Sequence, residues 1–575
     1  MTAHLFRFFF QLLSLLIVTS VLQNSVANAE PFQNFMLPTH RGVNWSLSEV
    51  PADHLVVVAF LGTECPLARL YGQRLQELQT EFQDRGVVVV GIDANVQDSL
   101  TEIIAFVARH HLTIPILKDT GNRVADQFEA ERTPEVFLLD QNREIRYRGR
   151  IDDQYLVGLS REAEQRRDLA IAIEEVLDGR EVSVPETKAI GCHIGRISRV
   201  EPQGDVTYSN QIARIFNQHC VECHRAGEVA PFVLTSYEDI LGWEETILEV
   251  IAENRMPPWF ANPEHGKFAN DCRLSDQEKT LLETWVQNGM PEGDPAELPE
   301  PPEFVKGWRI PEPDQVIAMS DDEFSVPAQG VVDYQYFTVD PGWTEDKYIC
   351  ATEARPDNIP VVHHIVVYVV PPGSEEKNAH GRYMLVGYAP GSLPQILNDG
   401  VAIPVVAGSK LIFEMHYTPN GREQLDRSYI GLKFMKKQDV KKILGGGHAI
   451  NTKFEIPPGA DHHTVTAEYR SPRDQLLLQL TPHMHLRGKA FRFEANYPDG
   501  SKEILLDVPH YNFNWQLNYK LAEPKRIPKG TRILCTATYN NSESNLVNPD
   551  PTATVRWGDQ SWNEMMIGFM SFVEP

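Results

Sequence analysis

HLVVVAFLGTECPLARLYGQRLQELQTEF, residues 54–82, decides the fold of the first part of the chain. Leu55 to Leu61 is a continuous apolar run that reads as a buried strand, and the residues after it take up helical periodicity. Cys65 falls where strand gives way to helix, so its thiolate sits near a helix N-terminus that lowers its pKa. Working outward, GVVVVGIDA (86–94), LTEIIAFVARHH (100–111), PEVFLLD (134–140) and IRYRGRID (145–152) continue as strand, helix and hairpin. That order is an α/β plan spanning about residues 30–196.

A chain of 575 residues is too long for one domain, since domains run to about 100–200 residues. With 42% hydrophobic and 23% charged residues it has globular composition, neither disordered nor multi-span. Its 53 basic and 79 acidic residues leave a net charge of −26, which argues against nucleic acid or an anionic membrane as the main partner. Residues 1–29 carry Arg7, an apolar stretch from Phe8 to Val21 and Ala27-Asn28-Ala29 before Glu30, the pattern of a cleaved secretory signal. The expected destination is the periplasm or another exported compartment, with no membrane span left in the mature chain. Seven cysteines are then read in an oxidising setting, and the odd count leaves at least one unpaired or bonded to something other than cysteine.

Strand runs vanish from residue 202 to 297 and helical periodicity replaces them, ending in SDQEKTLLETWVQNG (275–289). Ser275 with Glu278 predicts a capping box, and Gly289 a C-terminal stop. A Pro/Glu-rich stretch centred on 298–310 reads as an acidic linker. Beyond it short β runs predict two sandwiches, 311–445 and 446–575, with Gly445-Gly446-Gly447 as the hinge between them.

His219-Cys220-Val221-Glu222-Cys223-His224 contains C-x-x-C-H, whose thiols form thioethers with haem vinyl groups while the histidine ligates iron. The alternative is a disulfide or redox C-x-x-C. In Asn254-Arg255-Met256-Pro257-Pro258-Trp259, Met256 is the candidate sixth ligand, with Met290 and His265 as alternatives, and Met/His ligation raises the potential of an electron-transfer haem. The segment resembles the small cytochrome c domains of bacterial multi-domain oxidoreductases, which implies one covalent haem c in an all-α fold.

Further on come His363-His364, His416 in Met415-His416-Tyr417, His483-Met484-His485 and Met565 in Asn563-Glu564-Met565-Met566. Adjacent histidines on a strand point to opposite faces and share a metal only at an edge or bulge, whereas H-x-H on a strand puts both rings on one face. Thioether sulfur suits copper better than zinc or iron. The ordered set HH, HY, HMH, EM resembles the copper type II, ascorbate-dependent monooxygenases. That resemblance implies two sandwiches, each holding one copper across an open cleft. His363, His364 and His416 would bind the electron-donating ion, and His483, His485 and Met565 the ion that meets dioxygen. It also implies hydroxylation of a small-molecule C–H bond with O2 and two electrons from ascorbate or another one-electron reductant. Thr481 and Phe569 stand where the peptide-hydroxylating branch has arginine and tyrosine, which argues against peptide amidation. Phe513-Asn514-Trp515-Gln516 is read as structural, and His448, His462, His463 and His510 as satisfying polar cores. Cys350 and Cys535 are either free or bridge the sandwiches; Cys272 has no assigned role.

In the first domain, Phe60 to Ala68 and Thr133-Pro134 before a strand resemble the thioredoxin and peroxiredoxin superfamily, where a cis-proline loop faces the reactive cysteine. Ala68 replaces the second cysteine of C-x-x-C, and Gly62 stands at the peroxiredoxin threonine position, with Thr63 as its substitute only through a shifted turn. Cys192 is the candidate partner of an oxidised Cys65 if the domain's C-terminal tail folds back; otherwise Cys65 is a buried small apolar residue. Three functional readings follow: an exported copper monooxygenase fed by a fused haem, a redoxin whose thiols carry the main activity, or a copper and haem relay without catalysis.

Overall fold

A computed structural model describes residues 32–575 except 158, 162, 306, 329, 375–382, 391 and 421; the expected signal segment lies outside the described residues. Among the described residues no helix is long and apolar enough to cross a membrane.

The first module is a thioredoxin-like α/β domain. Its five-stranded sheet runs, in spatial order, Ile116–Lys118, Val87–Asp93, Leu55–Leu61, Glu135–Leu139, Ile145–Gly149. The central strand pairs parallel with Val87–Asp93 and antiparallel with Glu135–Leu139. All seven of its residues are buried, because the sheet is covered on both sides. Leu55, Val57, Ala59 and Leu61 pack towards helices Pro66–Phe82 and Asp168–Leu177, and Val56, Val58 and Phe60 pack with Phe35, Leu47 and Phe128 on the other face. A strand buried on both faces cannot alternate with polar residues, hence its unbroken apolar run.

Helices Ala213–His219, Glu244–Ala252 and Asp276–Gln287 build the second module around Phe216, Trp243 and Trp285. The Ser275/Glu278 capping box opens the last of these helices, and Gly289 follows its C-terminus at φ 76°. This module is docked on both sides. Towards the first domain, His193 N–H donates to Thr246 Oγ1 at 2.9 Å, and Glu249 meets both Arg132 and His193. Towards the last sandwich, Ala269 N–H donates to Lys520 O and Ala522 N–H to Lys267 O, while Trp259 packs edge-on against Tyr519 at 4.9 Å. The acidic linker is held as well, with Phe304 under the Arg225 guanidinium at 4.0 Å and Arg309 paired to Glu353 at 3.1 Å.

Two β-sandwiches complete the chain. The first packs the sheet containing Lys347–Arg355 and Tyr429–Phe434 on the sheet containing Val362–Val370 and Lys410–Tyr417. The second packs Gly445–Ile450, Ile567–Val573, Gln475–His483 and Tyr519–Ile527 on a sheet containing Arg532–Tyr539. The three glycines are therefore not a hinge. They pair with Phe572, Ser571 and Met570 as an ordinary strand, and Gly447 is small because Phe572 and Tyr469 lie against its Cα. Val573, Leu476 and Leu478 reach into the core of the first sandwich, so the two sandwiches share apolar contact.

Candidate functional sites

Cys65 is the N-cap residue of helix Pro66–Phe82 and is 2% exposed. Its Sγ lies 2.9 Å from Thr133 O, next to the cis Thr133–Pro134 peptide. The tail of the domain folds back so that Cys192–His193 pairs with Arg132–Thr133, placing Cys192 opposite Thr133 and its thiol in hydrogen-bond contact with Cys65. Burial opposes ionisation of Cys65, but the hydrogen bonds from Cys192 and from the Ala68 backbone outweigh it and bring the thiol down to about 6. Cys192 is pushed well above the ordinary thiol range, first by its bond to Cys65 and then by burial. One cysteine is thus a thiolate and its neighbour a proton-bearing thiol, the arrangement that thiol–disulfide exchange uses. Thr63 is turned away from this chemistry: its N–H and hydroxyl both go to Asp98, at 2.9 and 2.7 Å. Sequence reasoning missed the polar cluster behind Cys65, in which Lys118 Nζ reaches Asp93 and the Asn95 and Asp98 carbonyls, because its members come from three separate segments.

In the helical module, Cys220 to His224 form one helical turn in which His224 N–H donates to Cys220 O at 2.9 Å. Both thiols are free. His224 Nδ1 donates to Phe232 O at 3.1 Å, which fixes the ring and directs Nε2 away from the backbone. Met256 is half-buried in the loop after helix Glu244–Ala252. Two buried donors nearby in sequence have no partner, Arg225 Nε and Trp259 Nε1, and a cleft of about 650 Å³ borders Cys223, Arg225, Phe304 and Tyr388. Arg225 Nε, orphaned beside the C-x-x-C-H turn and on the cleft, fits a group that carries carboxylates, as haem does, whereas Trp259 lies in the core of the second sandwich. Cys272 lies next to the motif, half-buried, with its carbonyl 3.1 Å from His219 Nδ1 and its Sγ 3.9 Å from Pro258 O.

The sandwiches hold two histidine clusters. A register shift between Val362 and His364 makes His363 the extra residue of a β-bulge, which turns two neighbouring side chains towards one point. His416 stands opposite His364 on the adjacent strand. Nδ1 of His364 lies 3.3 Å from Nδ1 of His363 and 3.3 Å from Nδ1 of His416, and ligand atoms of all three fall within 4.8 Å of one another. Two nitrogens at about 2.0–2.1 Å from one ion at a tetrahedral angle are about 3.3–3.4 Å apart, so these separations fit a metal directly. Burial drives all three pKa values down, leaving the neutral imidazoles that metals bind.

His483 closes strand Gln475–His483 and donates from Nδ1 to Gln516 Oε1 at 2.7 Å. His485 lies just past the strand end rather than on it, so the same-face rule for H-x-H does not place it. Its placement comes from Glu564, whose carboxylate accepts the backbone N–H groups of His485 and Arg487 at 2.8 and 2.6 Å. The two rings are 5.3 Å apart. Met565, next to Glu564, is 5% exposed, and its carbonyl accepts the Tyr539 hydroxyl at 2.7 Å. The expected open cleft between the clusters is replaced by the Phe513 ring, which lies 5.8 Å from His363 and 5.8 Å from His485. Segment 513–516 is therefore part of the site, with Asn514 bonded to His363 and Gln516 to His483. Its adjacency of amide and aromatic residues was the available signal.

His448, His462 and His510 are exposed rather than in polar cores, and His463 is half-buried. Cys350 and Cys535 are both free; Cys535 is buried in the second sandwich and Cys350 lies in the first, so they do not bridge.

A buried thiolate at a helix start, faced by a cis-proline loop and a second thiol, defines the first module as a thioredoxin-fold thiol redoxin. Residues 29–148 match the AhpC/TSA family. The thiol-disulfide oxidoreductase ResA of Halalkalibacterium halodurans is 31% identical over 122 residues, 21% of this chain and 68% of that protein. Through this module the chain belongs to the AhpC/TSA family. Among solved structures, a hypothetical protein from Sinorhizobium meliloti 1021 is 28% identical, covering 30% of this chain and 96% of its own, at a TM-score of 0.27. Peroxidoxin BcpB from Mycobacterium tuberculosis is 21% identical over 26% of this chain and 93% of its own, at a TM-score of 0.20.

Proposed function

We propose that the chain is an exported copper- and haem-containing oxidoreductase whose main reaction is hydroxylation of a small-molecule C–H bond with O2. The observation that carries this reading is the convergence of three neutral imidazoles at metal-ligand separations, facing a second histidine pair with a buried thioether. His363, His364 and His416 would hold one copper, and His483, His485 and Met565 the other. Cys220, Cys223, His224 and Met256 would hold haem c. Bound copper supplies the one-electron steps that oxygen reduction and hydroxylation require, and a Met/His haem supplies electron relay. The chain's own residues set the geometry. Gln516 fixes the His483 ring, the Glu564 carboxylate clasps the turn that carries His485, and Phe513 keeps bulk water from the space between the clusters. The test is the copper-to-haem ratio of the purified protein, with electron spin resonance to count type 2 centres. Two coppers per haem are expected, falling towards one in Met565→Leu; a ratio near zero after copper loading would overturn the reading.

A second reading makes the thiols the principal activity, and the contact between Cys65 and Cys192 favours it. Cys65→Ser should then abolish peroxide or disulfide reduction by the whole chain. Under the first reading it leaves the copper sites, and oxygen consumption driven by an external reductant, unchanged.

A further inference from the structure

Cys192 does not open to solvent alone; it packs against two hydrophobic cores at once, that of the redoxin and that of the helical module. Cys220 packs on the second of these cores too. The modules meet closely here: a Cβ on Gly195 would lie 2.7 Å from Gly242 O, leaving no room for a side chain. Trp243, the next residue, stacks on Phe232 at 3.9 Å and 8° between planes, and Phe232 lies 4.8 Å from the His224 ring. On the other flank Glu249 binds Arg132 at 2.6 Å, His193 at 2.7 Å and Arg255 at 2.5 Å. Arg132 precedes the Thr133 that pairs with Cys192, and Arg255 precedes Met256. One carboxylate thus ties the backbone beside the thiol pair to the backbone beside the candidate sixth ligand.

We propose that the Cys65–Cys192 pair is the built-in electron source of the haem site, through the Trp243–Phe232–His224 chain of ring contacts. The proposal rests on the haem reading above and extends it. The Cys65 thiolate and the Cys192 thiol would form one S–S bond as the Cys192 S–H bond breaks and its proton goes to water, releasing two electrons that a haem held by Cys220, Cys223 and His224 would accept singly. Copper held by His363, His364 and His416 would be the onward acceptor of these electrons, and an external dithiol reductant would return the disulfide to the dithiol. Dithiols of the thioredoxin type are reducing and Met/His ligation raises the haem potential, so the transfer runs downhill. Two electrons and the pair's one proton, with a second from solvent, match what hydroxylation by O2 consumes.

The test uses the full-length haem-loaded protein, copper removed by chelation and oxygen excluded. Its thiols are reduced with an immobilised phosphine, and the haem is then reoxidised with one equivalent of ferricyanide. The ferrous absorbance band should grow back unaided, with one thiol lost per haem reduced, since each pair serves the haems of two molecules when copper is absent. Cys65→Ser and Cys192→Ser should slow this by at least about tenfold with the ferric spectrum unchanged, and Glu249→Gln should slow it while the thiol count stays intact. Wild-type rates in Cys192→Ser, or haem reduction without thiol loss, would overturn the proposal while leaving the haem reading standing. A protein whose mass carries no covalent haem would overturn both.

Discussion

Replacing Cys192 with alanine removes the side-chain hydrogen bond that does most to hold Cys65 as a thiolate, while the backbone bonds from residue 192 and Ala68 remain, and the effect has a definite direction. An ordinary cysteine titrates at about 8.5, and Cys65 is brought down to about 6 against its own burial. At about 1.36 kcal/mol per pH unit, that difference is on the order of 3 kcal/mol of preference for the charged form. In the wild type about nine-tenths of Cys65 is ionised at pH 7; with the Cys192 thiol gone, burial meets less opposition, the Cys65 midpoint should move up from about 6 and the ionised fraction at pH 7 should fall. The stability consequence has a definite sign. A depressed thiol pKa stabilises the fold above the unfolded value of about 8.5, and that contribution declines as pH falls through about 6. The raised Cys192 thiol acts oppositely and costs stability as pH climbs above the ordinary thiol range. The wild-type first domain should therefore lose stability between pH 8.5 and 6 relative to Cys192→Ala, read as the difference in thermal midpoint across that window. Thiolate ultraviolet absorbance against pH is the direct assay. A Cys65 midpoint still near 6 in Cys192→Ala would refute the reasoning and assign the shift to the backbone hydrogen bonds from residue 192 and Ala68 at the helix start.

Two further perturbations test the scaffold of the sites. Gly191→Ala should break the pairing of Cys192 with Thr133, because a Cβ there would lie 1.9 Å from Thr133 O; the expected loss is about 1–3 kcal/mol by denaturant unfolding, together with a Cys65 midpoint that moves up, and an unchanged midpoint would count against the tail as the cause. Arg487→Met removes a buried guanidinium that donates to Asn541 Oδ1 and the Trp562 carbonyl and that helps hold the Glu564 carboxyl down against its burial. It should cost about 1–3 kcal/mol and, on the copper reading proposed above, weaken metal binding at the Met565 site before the His363 site, which metal titration followed by electron spin resonance would distinguish.

What the sequence determined by itself is everything whose physics is local. The unbroken run Leu55–Leu61 could satisfy only a strand covered on both faces, Cys65 had to begin the helix that follows, and Cys220, Cys223 and His224 share one turn wherever that turn sits. Tertiary structure decided the rest, because contacts between distant segments leave no periodic trace. Cys192 meets Cys65 only because residues 190–194 fold back along Thr133. Two neighbouring histidines share a site with His416 only because the strand bulges at His363. Phe513, read as structural, stands between the clusters because both sandwiches present their strand ends to it. The three glycines at 445–447 looked like a hinge for the same reason: the smallness of Gly447 answers to Tyr469 and Phe572 packed against it, and a sequence does not say which neighbour a missing side chain makes room for.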